Sequence, residues 1–457
     1  MMLKQKFIMD HNPSTGEVIE KIKISSPGEV ASAVKLARKA FKTWDETALK
    51  NRISSLKKIE RDIIRFADSI AKTISNEMGK TLKSALKEIQ NALVSIDKNI
   101  EISEKLFKPE IFRDKKLISE VYKVPIGVVA VITPWNYPLD IPLSLIVPAL
   151  ISGNSVVFKP SEYSPMTGKL IFEIFNKHLP KGVINLVQGA EEVGEILLQS
   201  DIDMVAFVGS REVGKIIMRE CSNKLNRIIL ELGGKDPMIV LRDADLKKAA
   251  EFAVYASINN CGQLCTSVER VYVEDKIAGE FEKLVLVEIK KVKVGNVYDD
   301  VNLGPMANEQ QRAKVLSQID EARRKGARIL YGGNKIEGKG YFIEPTFIVD
   351  VSEKHDLMTD ETFGPVVAMQ RVRDAEDAIE KSNKSRYGLG ATIWTKSQKK
   401  ALEIASKLET GMIGINRGVG GVTGTPWVGI KESGFGYHGS IDGMKQFTHP
   451  KKITYKK

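Results

Sequence analysis

The segment Asn260-Cys261-Gly262-Gln263-Leu264-Cys265-Thr266 sets a cysteine among small and polar residues at a bend. Such a setting holds a thiol partly exposed, as a nucleophile requires. Taken alone, an intracellular cysteine is more often a small buried hydrophobe, and Cys261 and Cys221 keep that reading. Cys265 leaves it only in company. Glu231, in Leu230-Glu231-Leu232-Gly233-Gly234-Lys235, ends an apolar run, where desolvation raises a carboxyl pKa toward that of a useful base. An isolated glutamate there is more often a surface ion-pair partner. Thr133-Pro134-Trp135-Asn136-Tyr137-Pro138 places Asn136 between two prolines in a rigid turn. Its side-chain amide, aimed at a developing oxyanion, contributes ~3 kcal/mol; spacing alone favours a plain turn asparagine. Gly209-Ser210-Arg211-Glu212-Val213-Gly214 follows an apolar run and opens a helix, so its backbone N–H groups suit a pyrophosphate. It is not the GxGxxG fingerprint, and as a general motif it carries little by itself.

These residues need a scaffold. From Pro27 to about Leu106 the pattern is helical, with Leu56, Ile59, Ile63, Phe66, Ile70 and Ile74 recurring at steps of three and four. From Val124 onward, short apolar runs alternate with helical stretches. Runs at 128–132, 155–158, 183–187, 204–208 and 228–232 read as buried strands, and 138–151, 166–178 and 193–199 as helices between them. That alternation predicts parallel βαβ units with helices on both faces. A second α/β series has strands near 238–240, 270–274, 366–372 and 392–394. Asn12-Pro13-Ser14-Thr15-Gly16-Glu17 reads as a turn between extended segments, and 452–457 as a short basic strand. The fold class is α/β: a Rossmann-like cofactor domain, an α/β catalytic domain and a small β excursion.

At 457 residues, 42% hydrophobic and 28% charged, the chain is long enough for two or three globular domains. No apolar stretch approaches the ~20 residues of a membrane span, and residues 1–10 lack the apolar core of a signal peptide. Three cysteines and five scattered histidines give neither a disulfide framework nor zinc-ligand spacing, so a cytoplasmic protein without a metal is expected. The net charge of +11 is spread along the chain with acidic residues interleaved, as on solvated helix faces, and no nucleic-acid motif accompanies it.

In chain order, Thr133-Pro134-Trp135-Asn136, Lys159-Pro160-Ser161-Glu162, Phe207-Val208-Gly209-Ser210, Glu231-Leu232-Gly233-Gly234-Lys235, Gly262-Gln263-Leu264-Cys265, Glu361-Thr362-Phe363-Gly364-Pro365, Gly411 to Asn416, and Lys431-Glu432-Ser433-Gly434 resemble the aldehyde dehydrogenase superfamily. The resemblance runs from Asn12 to nearly the C-terminus. It implies that Cys265 attacks the aldehyde carbon, that Asn136 and the Cys265 backbone N–H hold the oxyanion, and that Glu231 activates the water that hydrolyses a thioester. It also implies that Trp135, Gly209 and Ser210 approach the pyrophosphate. Lys159, Ser161 and Glu162 would meet the adenosine ribose, Glu361 the nicotinamide ribose, and Phe363 would pack near the nicotinamide. Glu162 beside the ribose 2′-hydroxyl favours NAD over NADP, since it repels a 2′-phosphate.

Tyr137, Ile141, Leu264, Thr266 and Trp427 are expected to line the substrate tunnel. The family's C-terminal Pro-Phe-Gly-Gly reads Pro426-Trp427-Val428-Gly429 here, so specificity does not follow a common template. Arg417 near the tunnel mouth suggests a small polar or anionic aldehyde: succinate semialdehyde, glyceraldehyde or lactaldehyde. Cys261 lies four residues before the nucleophile, within expected reach of a protective disulfide. The expected division is 1–105 and 125–233 for NAD(P) binding, 234–435 for catalysis, and 106–124 with 436–457 for oligomerisation. By resemblance, 107–123 and 452–457 complete an inter-subunit sheet in a dimer or tetramer. The alternatives are a CoA-acylating dehydrogenase, which lacks the base, and a non-catalytic structural or binding protein on the same fold.

Overall fold

The computed structural model describes residues 6–422 and 424–457. Two sheets organise it. The first has the spatial order Ile184–Leu186, Ser155–Lys159, Val128–Ile132, Met204–Val208, Arg227–Glu231, Gly434–Phe435, all parallel except the last. The chain lays its first three strands outward to one side, then crosses back to build the other side. The reversal falls between Val128–Ile132 and Met204–Val208, and the loops leaving their carboxyl ends splay apart there, leaving a crevice suited to a ligand.

Successive residues of these strands point to opposite faces, and both faces are covered. Val129, Val131, Val156, Phe158, Met204 and Ala206 pack with the helices Leu49–Arg65, Ala67–Met78, Leu82–Leu106, Asp140–Ile151 and Pro165–His178. Val128, Ala130, Val157, Val205 and Phe207 pack on the other side with Pro27–Trp44, Glu191–Gln199 and Arg211–Ser222. Burial on both sides is why the strands are continuously apolar rather than alternating. The helical region expected from 27 to 106 is four helices. The first starts on a capping box in which Ser26 and Glu29 bond each other's backbone N–H.

The second sheet runs Arg328–Tyr331, Thr346–Val349, Val366–Val372, Val268–Glu274, Asp236–Val240, Gly390–Trp394, Met412–Ile415, parallel but for its first strand. The strand Gly434–Phe435 pairs with Arg227–Glu231 of the first sheet, so the last two residues of the stretch expected to be catalytic, 234–435, join the first sheet. The segments expected to take part in an inter-subunit sheet pair with one another within the chain. Thr448–Lys456, Leu117–Pro125 and Glu110–Arg113 form a three-stranded antiparallel sheet with Ile111, Phe112, Leu117, Ile453 and Tyr455 exposed. No helix among the described residues is long and apolar enough to cross a membrane.

Candidate active site

The segment carrying Cys265 follows the helix Leu246–Ile258 through a tight turn, Asn259–Gly262. Asn260 and Cys261 have φ of 54° and 59°, a left-handed conformation that costs of order 1–3 kcal/mol at a non-glycine residue. Hydrogen bonds hold it. The Asn260 amide Nδ2 donates to the carbonyls of Asn136 and Gln263, each at 3.1 Å. The fully buried Gln263 side chain donates back to Asn260 O at 3.0 Å and accepts from Ala307 N at 2.9 Å. Gly262, at φ 70°, presses so close to Gly364 O that a Cβ would sit 2.0 Å from it. Cys261 does not turn toward Cys265: its buried thiol faces Gly304 O at 3.7 Å. Cys265 itself is half-buried.

Asn136 is buried, and its Nδ2 donates to Gln263 O at 3.1 Å. An amide nitrogen carries two hydrogens, so one remains for a ligand oxygen. A buried ion pair fixes the turn. Lys80 pairs with Glu88, donates to Asn136 O at 3.0 Å and lies 3.6 Å over the Tyr137 ring. Glu88 also accepts from Leu139 N at 2.9 Å and Asp140 N at 3.1 Å, at the start of Asp140–Ile151. A buried charge pair left with one member is strongly destabilising, so the turn and the helix Leu82–Leu106 are locked together.

Glu231 ends its strand buried, and burial pushes its carboxyl up to about 7. Two donors oppose that rise, the Trp427 indole and the Cys265 thiol. Trp427 Nε1 lies 3.1 Å from Glu231 Oε1. Burial and the neighbouring carboxylate push the Cys265 thiol well above its ordinary value. The sulfur is therefore a protonated thiol at rest, beside a base whose affinity for a proton is matched to neutral pH.

Two cavities meet at this point. One, of about 360 Å³, is lined by Tyr137, Ile141, Leu264, Thr266 and Trp427 as expected, together with Asn91, Asp140, Ser144, Tyr255 and His438 among others. The other, of about 190 Å³, is lined by Trp135, Gly209, Ser210, Glu361 and Phe363 as expected, with Gln311 and Lys314 added. Asn136, Ile141, Val208, Glu231 and Cys265 line both. Arg417 lines neither: it is exposed, with Nη2 donating to Gly420 O at 2.7 Å. Among the described residues, no lysine or arginine lines the first cavity, whereas Asp140 does; burial pushes the Asp140 carboxyl up to about 7.

A second buried pair positions Glu361 and Phe363. Lys235 bonds Glu269 at 2.6 Å and Thr362 Oγ1 at 2.9 Å. Glu269 in turn accepts from Thr362 N and Phe363 N at 2.7 and 2.8 Å. Glu361 accepts from Gly234 N at 3.1 Å, and a Cβ on Gly233 would fall 2.6 Å from its oxygen. The Trp135 and Phe363 rings meet edge to face at 5.7 Å. Ser210 caps the helix Arg211–Ser222, leaving the first N–H groups of that helix open at the cavity. A groove with a helix start, two glycines and Lys314 suits the phosphates and ribose of a dinucleotide.

Lys159, Ser161 and Glu162 are not among the residues lining this second cavity. Glu162 lines a separate cavity of about 610 Å³ with Glu192, while Lys159 is buried and bonds Pro160 O at 3.3 Å. Burial draws the Lys159 ammonium below its ordinary value, against the pull of Glu162 and Glu192. Lys80, Glu88, Lys235, Glu269, Gln263 and Trp427's hold on Glu231 escaped the reading of the sequence. Each acts through a partner distant in the chain, and although Lys235, Gln263 and Trp427 lie inside recognised motifs, those motifs did not show their partners. Among the described residues, no group of three or more metal-ligating side chains is arranged to hold an ion.

A sequence profile described as Aldehyde dehydrogenase family matches residues 2–453. The chain is 35% identical to a probable succinate-semialdehyde dehydrogenase named for NADP(+) from Sinorhizobium fredii, over 98% of this chain and 93% of that one. It is 32% identical to a D-glyceraldehyde dehydrogenase named for NADP(+) from Picrophilus torridus, over 98% and 92%. The solved structure of betaine aldehyde dehydrogenase from Staphylococcus aureus in complex with NAD+ superposes with a TM-score of 0.94 at 32% identity, over 99% of this chain and 94% of that one.

Proposed function

From the premise that the chain belongs to the aldehyde dehydrogenase family and is an NAD(P)-dependent oxidoreductase, we propose that it oxidises a small, polar, uncharged aldehyde to the carboxylic acid through a thioester on Cys265. The observation that carries this is the pair of cavities sharing Asn136, Glu231 and Cys265. The aldehyde enters from the Tyr137 and Trp427 side. Its carbonyl carbon meets the sulfur as the thiol proton passes to Glu231, and the free hydrogen of Asn136 Nδ2 with the Cys265 backbone N–H takes the oxyanion. The dinucleotide, when bound, supplies the two-electron acceptor. Trp135, Gly209, Ser210, Glu361 and Phe363 would hold it against the sulfur, and Lys159, Ser161 and Glu162 its adenosine end. Once that proton has passed from Glu231 to solvent, the ionised carboxylate takes a proton from the water that hydrolyses the thioester. A base at this position favours the free acid over transfer to coenzyme A, and added coenzyme A is expected to leave the rate unchanged.

The substrate reading follows from charge. A substrate carboxylate in the first cavity would find Asp140 and Glu231 and no lining cation, whereas hydroxyl groups would find Asn91, Tyr137, Ser144, Tyr255 and His438. Glyceraldehyde and lactaldehyde match; the Arg417 argument for an anion has no geometric support. A second reading, succinate semialdehyde, is favoured by the Sinorhizobium fredii relative. A steady-state panel separates them. Glyceraldehyde or lactaldehyde is expected to exceed succinate semialdehyde at least about tenfold in kcat/KM, and the reverse order would transfer the assignment to the semialdehyde.

The NAD preference expected from Glu162 gains no support from relatives named for NADP(+). We infer that both dinucleotides are used, with Lys159 offering a cation and Glu162 an acceptor for the 2′-hydroxyl. Glu162→Ser is expected to raise the NADP-to-NAD ratio of kcat/KM about tenfold; an unchanged ratio removes Glu162 from cofactor choice. Residues 1–105 with 125–233 would form the dinucleotide-binding domain and 234–435 the catalytic domain. The exposed Ile111, Phe112, Ile453 and Tyr455 of the three-stranded sheet support burial against a second copy, as a dimer or tetramer.

A further inference from the structure

Trp427 sits on a two-residue strand, Trp427–Val428, paired with Tyr437–His438, and its indole does two things at once. One face closes the aldehyde cavity, and the N–H reaches 3.1 Å to Glu231 Oε1. Where the family's motif has phenylalanine, which has no donor, this chain has the one aromatic side chain with an N–H on its ring edge. We propose that Trp427 is a positioning residue for the second half of the reaction, holding the Glu231 carboxylate ionised and aimed at the water that cleaves the thioester. This rests on the assignment of Glu231 as the base.

In that step a water O–H bond breaks and the oxygen bonds to the thioester carbon. The C–S bond then opens, the sulfur leaves as thiolate, and the water proton resides on Glu231. Only the ionised carboxylate can take it. A hydrogen bond donated to the charged form favours that form, so the indole widens the pH range in which the base is ready. The other groups facing Glu231 are few. Cys265 lies on the nucleophile loop and is acylated at this stage. Asp236 and Glu361 act on the sulfur rather than on Glu231. His438, stacked against Trp427 at 6.5 Å and lining the same cavity, is pushed down to about 4 by burial and stays neutral through the assay range.

Trp427→Phe keeps an aromatic wall and removes the donor. The acid limb of kcat is expected to move up by about one pH unit. Turnover then falls about eightfold at pH 6.5 and recovers to within threefold at pH 9, while KM for the aldehyde changes less than threefold. The pre-steady-state burst of reduced cofactor keeps its amplitude, because the thioester accumulates ahead of its hydrolysis even where a less ionised Glu231 slows the rise. In the Glu231→Gln background the same replacement is expected to add less than twofold. An equal loss at every pH, a loss confined to KM, or a full additive loss in the Glu231→Gln background would reduce Trp427 to a cavity wall and overturn the proposal. An inactive wild-type chain, by contrast, would overturn the reading of the site itself.

Discussion

Cys265→Ser is expected to lower NAD(P)-linked aldehyde oxidation by at least about 10⁴-fold while thermal stability changes by less than ~1 kcal/mol. The side chain is half-buried where two cavities meet, so a hydroxyl there disturbs no core packing. The loss is chemical. A hydroxyl proton is far harder to remove than a thiol proton, and Glu231, pushed up to about 7, is matched to the thiol. Cofactor binding, read by fluorescence titration, is expected to stay within threefold, since only one of the groove's residues changes. Cys261→Ser serves as the control: its thiol is buried against Gly304 O, and activity should persist. Retained activity in the Cys265 variant would end the covalent mechanism.

Glu231→Gln is expected to separate the two halves of the reaction. The amide cannot take a proton from water, so steady-state turnover falls about 10²–10⁴-fold. The thiol behaves differently. After burial, the Glu231 charge is the largest influence holding the thiol protonated, so its removal lets the thiolate form more readily. Mixed with cofactor and aldehyde, the variant should give one equivalent of reduced cofactor and then stall as an acyl-enzyme, visible as added mass on Cys265. The wild-type rate should show the opposite dependence on the base. The Glu231 carboxyl is raised, so it is protonated and idle below about pH 7, and turnover should climb as pH rises through that value. Rapid steady turnover by the variant would move the base elsewhere.

What could be read from the sequence was what is local. The strands at 128–132, 155–158 and 204–208 are buried on both faces, and such burial writes itself as an unbroken apolar run. Cys265, Glu231 and Asn136 were found because each stands in a short motif, and the fold brings all three to the same pair of cavities. Arg417 was misplaced for a physical reason: proximity in sequence to Asn416 says nothing of direction, and its guanidinium is held outward on Gly420 O. Lys80 and Glu88 were illegible because a charged residue in an amphipathic helical region reads as solvated. Nothing local reveals that both are buried beneath the turn they fix. Trp427 was read as a wall, since a hydrogen bond across 196 residues leaves no trace in spacing. The terminal strands were legible, but their register was not: 448–456 and 117–125 pair across most of the chain's length, which no local pattern records.

The meeting of the two cavities at one sulfur has a kinetic reach. Under the proposed assignment each reactant has a cavity of its own, and the two share only the residues around the sulfur. An acid formed at Cys265 can depart past Tyr137 and Trp427 without waiting for the nucleotide to vacate. A compound plugging that corridor would compete with the aldehyde alone, and one wedged between Trp135 and Phe363 with the dinucleotide alone. The order of arrival is then a matter of relative affinity rather than of who blocks the way.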